Sequence, residues 1–121
     1  MDVEQSTANA LWQQAVDGTF KMEPGAARKC AEVFQRFGDN LEPILTKAAT
    51  LQKLSGFGTF QSSIDLENGF GGKGQALSNV LAGMQQAAYK MAASYLQAGG
   101  MINEAEAANK RAIALATEGS A

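Results

Sequence analysis

The chain has 121 residues, 45% of them apolar, with a formal net charge of −2, one cysteine and no histidine. That length suits one domain (1–121), and the apolar fraction can supply a core, which argues against a disordered chain. The missing histidine removes the usual zinc, haem and triad constellations, the single thiol cannot close an internal disulfide, and no basic stripe invites nucleic acid.

Residues 3–16 are predicted to form a short helix, with Ala8, Leu11, Trp12 and Ala15 on one face and Gly18 as its stop. Trp12 is the only tryptophan; it reads as a packing anchor or as a partner contact, since large aromatics serve both. A connector over Phe20–Gly25 leads into a first long arm over 24–54, with Pro24 in its first turn, where a missing N–H costs nothing. Its apolar seam reads Ala27, Cys30, Phe34, Phe37, Leu41, Ile44, Ala48 and Leu51. These steps of three and four keep one side of a helix. Pro43 interrupts the arm on paper, but the seam keeps its phase, so a kink near 38–43 is expected rather than an end. Asp39 or Asn40 would cap a restarted helix if the arm did break.

Gly56, Phe57 and Gly58 mark the inter-arm turn. Residues 62–69 suit a helical turn or two, and 70–74 a loose Gly-rich stretch. A second arm is expected over 75–117, with its seam running from Leu77, Leu81 and Met84 to Ala112 and Ala116. Gly99-Gly100 inside it reads as a kink or as a place where helices approach closely. Folded back to back, the arms set Leu51 near Leu77, Phe37 near Met91 and Cys30 near Ala98. The fold class is therefore all-α: an elongated antiparallel hairpin with an extra N-terminal helix and a Gly/Phe-rich connection. Val80, Ala87, Met101, Ala108 and Leu115 form a further apolar stripe at seven-residue spacing. Either the N-terminal helix or another chain must cover it. With Trp12, these residues are the candidate partner interface.

No enzyme is expected. Gly69–Gly74 is superficially like a phosphate loop, but Glu67 stands where its first glycine belongs and Gly74 where its hydroxyl belongs. Glu104 and Glu106 fall on different helix faces and read as solvated surface. Catalytic, metal and cofactor residues are none. No run approaches the roughly 20 apolar residues of a transmembrane span, and the acidic start Met1–Gln5 lacks the pattern of a cleaved signal.

Three stretches carry a family resemblance: Met22–Ala31, Leu54–Gly58 and Ala98–Asn109. They resemble small actinobacterial proteins linked to the type VII (ESX) secretion system, the EspC-like and WXG-like helical hairpins. The resemblance implies a hairpin that pairs with another helical protein, as a hetero-dimer or a homo-oligomer, and forms a four-helix bundle with it. It also implies contact with secretion machinery. Its Tyr-x-x-x-Asp/Glu export signal falls on Ile102 and Glu106, with isoleucine in place of the tyrosine. Its Trp-x-Gly turn falls on Phe57-Gly58 without the tryptophan. The expected function is that of a type VII substrate, or of an accessory subunit targeting a secreted effector or toxin. Such a protein is cytoplasmic before export and then secreted or at the cell surface. A cytosolic adaptor or chaperone that stays behind is the competing reading.

Overall fold

A computed structural model describes residues 3–51 and 61–120, and every element among them is a helix: α1 (Val3–Asp17), α2 (Pro24–Asn40), α3 (Glu42–Leu51), α4 (Gln61–Ala98) and α5 (Ile102–Ser120). The all-α class is as expected. The end of the predicted first arm and the turn at Gly56, Phe57 and Gly58 lie outside the described residues.

The central element is α4, which is 38 residues long. Among the described residues the backbones of α1, α2 and α5 each approach α4 and not one another. The helix α1 runs parallel to α4: Gln5 bonds Gln86, and the Met22 N–H beyond α1 donates to Ala98 O at 3.0 Å. The other neighbours run antiparallel. On α2, Ala27 meets Gly99 and Gly38 meets Tyr89. On α5, Asn109 takes a hydrogen bond from Lys90, and Ile113 lies beside Gln86.

Two glycines make the reversals that allow this. Gly18 and Gly100 both have φ +82°, the left-handed region that favours glycine. Gly18 sits one residue past α1 and Gly100 two past α4, inside the same paired bond pattern. After α4, Gly100 N–H donates to Gln97 O and Met101 N–H to Leu96 O; after α1, Gly18 N–H donates to Ala15 O and Thr19 N–H to Gln14 O. This is the Schellman ending, which satisfies helix carbonyls and turns the chain. The expected second arm over 75–117 is thus corrected: it is two helices, and α5 folds back along α4. Gly99 serves the other role, because a Cβ there would lie 2.5 Å from the Ala27 Cβ.

Two further expectations change. The stretch 62–74 is helical throughout, as the first part of α4. The helix continues through its glycines although each costs about 1 kcal/mol relative to alanine. The first arm breaks at Leu41 rather than only kinking. Pro43 cannot donate to the Asp39 carbonyl and its ring crowds it, and the Leu41 N–H instead turns to Gly38 O at 3.2 Å. The buried side nevertheless runs on across the break through Gly38, Leu41 and Ala48.

Polar side chains fasten the outer helices together. The Glu23 carboxylate caps α2, accepting from Gly25 and Ala26 N–H at 2.9 Å each. Arg28 on α2 makes a forked bond to Glu104 on α5, at 2.8 and 2.9 Å, and also reaches Met101 Sδ. Asp39 Oδ1 accepts from Tyr89 OH at 2.6 Å and from Arg111 at 3.0 Å, while the Arg111 guanidinium lies 4.1 Å from the Tyr89 ring centre. Gln85, only 4% exposed, donates to Gly38 O and Glu42 Oε2.

These bonds shape the pH dependence of stability. Two backbone donors hold Glu23 below its ordinary 4.5, and Arg28 holds Glu104 below it. A depressed carboxylate contributes fully above its unfolded value and loses that contribution as pH falls through its folded one. Burial, then the bond to Asp39, pushes the Tyr89 phenol from 10.0 up to about 12. A raised phenol contributes fully below its unfolded value, and the contribution disappears as pH climbs toward the folded one. Melting temperature is therefore expected to fall below about pH 4.5 and above about pH 10. The pair Glu23→Ala and Glu104→Gln should flatten the acid limb only, as read by circular dichroism melts across pH.

A second expectation concerns Gly38. A Cβ there would lie 2.7 Å from Tyr89 Cε1. In an open helix Gly→Ala gains about 1 kcal/mol. Here Gly38→Ala should instead lose about 1–3 kcal/mol through overpacking, measured by urea unfolding. Gly38→Ala combined with Tyr89→Leu should recover part of the loss.

Candidate partner-binding surface

The closest helix contacts are made by small residues. The buried side of α2 is Ala27, Ala31 and Gly38, and that of α4 includes Ala88, Ala92 and Ala93. Backbones that approach this closely leave no room for large side chains between them, so Phe37, Ile44, Leu77 and Met84 of the predicted seams stand to one side. Phe37 is 45% exposed, Ile44 46% and Leu77 42%. Sequence reasoning placed these residues in the seam because it ranked positions by hydrophobicity. The alanine and glycine steps one position away were the missed signal.

Of these, Phe37 and Met84 line a groove between α1 and α2, floored by α4. Its walls are Thr7, Phe34, Phe37, Met84, Ala87 and Met91, and its volume is about 370 Å³. It is open to solvent and almost wholly apolar. Below the N-terminus of α1 the same flank of α4 continues through Val80 and Leu77. These residues lie four and seven positions before Met84, hence on its face. Val80 is 57% exposed.

The anticipated stripe is divided by the reversal at Gly100. Val80 is exposed as anticipated for an interface, but Ala87 is buried under α1, and Ala108 packs into the core from α5. Met101 is partly buried against the same core and meets Arg28; Leu115 is half-buried near the end of α5. Trp12 packs against the core cluster, with the Lys90 ammonium 4.9 Å from its ring centre. Ala108 and Trp12 are therefore internal contacts, Ala87 is buried yet lines the groove, and Val80 lies exposed on the continuation of its flank. Ile102, 44% exposed, and Glu106 stand one turn apart at the start of α5, both accessible.

Two lesser grooves flank α4. One, beside α1 and α5, holds Gln5, Asn9, Gln86 and Lys90; burial pulls the Lys90 ammonium below its ordinary 10.5. The other, between α2 and α5, holds Gln35, Glu104 and Arg111. Among the described residues no cluster of histidine, cysteine, aspartate and glutamate could hold a metal, and no helix is long and apolar enough to cross a membrane. No family model, no curated protein and no solved structure matches the chain.

An apolar groove of this kind captures hydrophobic dyes. Anilinonaphthalene sulfonate should fluoresce with the folded protein at neutral pH. Phe37→Ser with Met84→Ser should remove more than about half of that signal while helical circular dichroism stays unchanged. Undiminished dye binding would place the exposed apolar surface elsewhere.

Proposed function

We propose that the chain is a non-catalytic, type VII secretion-associated helical protein, a substrate or an accessory and targeting subunit. It binds a helical partner, such as a secreted effector or toxin, and supports that partner's export. The observation that carries the partner-binding part is the run of large apolar side chains left exposed beside a core closed by small ones. A helix presenting its own apolar stripe is the partner such a groove fits. The secretion part rests on the resemblance of Met22–Ala31 and Ala98–Asn109 to the ESX-linked hairpins. The accessible pair Ile102 and Glu106 supports it as a recognition patch.

One observation favours a second reading, the cytosolic adaptor that stays behind. Ile102 lacks the phenol of the resembled signal, and it opens a new helix after a reversal instead of lying late in an unbroken arm. Export assays separate the two. The tagged chain, expressed with its neighbouring genes in an ESX-competent actinobacterial host, should appear in the culture supernatant only when the secretion system is intact. Ile102→Ser with Glu106→Ala should reduce its export about tenfold, the effect of losing roughly 1.4 kcal/mol of recognition. Export of the partner alone would favour the adaptor. A chain that co-purifies with no neighbour and stays in the cells would reject both readings.

A further inference from the structure

We propose that the flank between α3 and residues 73–84 of α4 docks one amphipathic helix of another protein, whose apolar stripe is bordered by aspartate or glutamate. This deepens the partner-binding reading and rests on it, by fixing where the helix lies and what chemistry it carries. The site is a continuation of a place already filled. The helix α1 lies on α4 from Gln5 beside Gln86 toward Ala98. Below that start, no helix among the described residues covers the flank of α4 that holds Val80 and Leu77. Ile44 is exposed beside the buried Leu41 and Ala48 that pack on Leu81, and Met84 follows Val80 by four and Leu77 by seven, so apolar side chains of both helices border this contact.

Charge selects the occupant. Lys47 follows Ile44 by three positions, and Lys73 precedes Leu77 by four; both are exposed and pair with no acid among the described residues. No aspartate or glutamate occurs between Asn68 and Ala98. The acids of α2 and α3 are engaged elsewhere. Asp39 binds Tyr89 and Arg111, Glu42 binds Gln85, and the charge of Glu32 acts on Arg28, which faces α5. An apolar channel edged by lysines, with no acid on it among the described residues, favours an acidic-edged helix and repels a basic one.

The test uses the full chain and two fluorescein-labelled designed helices of about five turns, with the same leucine stripe flanked by glutamates in one and by lysines in the other. Fluorescence anisotropy should show the glutamate helix binding at least about tenfold tighter, and its affinity should fall with added salt. Val80→Ser with Ile44→Ser should weaken it about tenfold without shifting the melting temperature. Lys47→Glu with Lys73→Glu should reverse the preference between the two helices. Equal binding of both helices, or binding indifferent to Val80 and Ile44, would overturn the proposal. So would a sedimenting dimer that Val80→Ser dissociates, because a second copy would then be the occupant. A neighbour-encoded protein that still co-purifies with the Val80/Ile44 variant would overturn this site while leaving the partner-binding reading intact.

Discussion

The arrangement depends on how closely helices can approach α4. At Gly38 the Tyr89 ring occupies the space of a missing Cβ, and at Gly99 the first turn of α2 does the same through Ala27. Small residues at these contacts bring backbones together, and dispersion over many atom pairs then replaces the burial that bulky side chains would give. Alanine contributes little transfer free energy by itself, so the polar bonds of the outer helices carry more of the specificity than they would around a leucine core. Asp39 binds Tyr89 of α4 and Arg111 of α5 at once, and Arg28 and Glu104 join α2 to α5 one side away. The pairs are half-exposed, and an exposed ion pair is worth little alone. Their role is to set register between helices whose backbones do not touch.

The same close approach explains the surface. Once the contact line is given to Ala31, Gly38 and Ala92, the neighbouring apolar positions cannot point into it. Phe37, Ile44, Leu77 and Met84 are moved by part of a turn onto one flank. The opposite flank differs, because α5 returns along it and seals it with Ala105, Ala108 and Ala112, all buried. Gly100 thus decides which side of α4 is closed. A continuous helix past Ala98 would have left both flanks open.

Much of the helical content was legible from spacing alone. Runs with steps of three and four gave helices over 3–16 and from Pro24 onward, and Gly18 was readable as a stop because a left-handed C-terminal glycine has a local signature. Gly99-Gly100 carried the same signature, yet the seam from Tyr95 through Ala98 to Ile102 kept its phase across it. Phase continuity shows only that both segments have an apolar side; it does not show that they share an axis. The Gly-rich stretch before Gln75 misled in the reverse direction. Local propensity predicted a loop, and the stretch is helical as the first part of α4. Of the anticipated stripe Val80 is exposed while Ala87 and Ala108 are buried, because a seven-residue spacing identifies a side of a helix without saying what lies against it.

Burial by small residues also limits how the flank can be used. A groove floored by Ala87 and Ala88 and walled by Phe37 and Met84 accepts side chains that enter between the helices. Its methionines can adjust to an imperfect fit. Farther along, where α1 no longer lies on α4, Val80 and Leu77 offer a ridge rather than a cavity, and shape alone would select weakly there. Charge supplies what shape does not. Among the described residues the acids of α2 and α3 are engaged toward α5 or Gln85, and none opposes the lysine border. The discrimination between partner helices is then expected to reside in the association rate and salt response more than in contact area. A binding surface built this way distinguishes partners by the pattern beside their apolar stripe, and tolerates variation within the stripe itself.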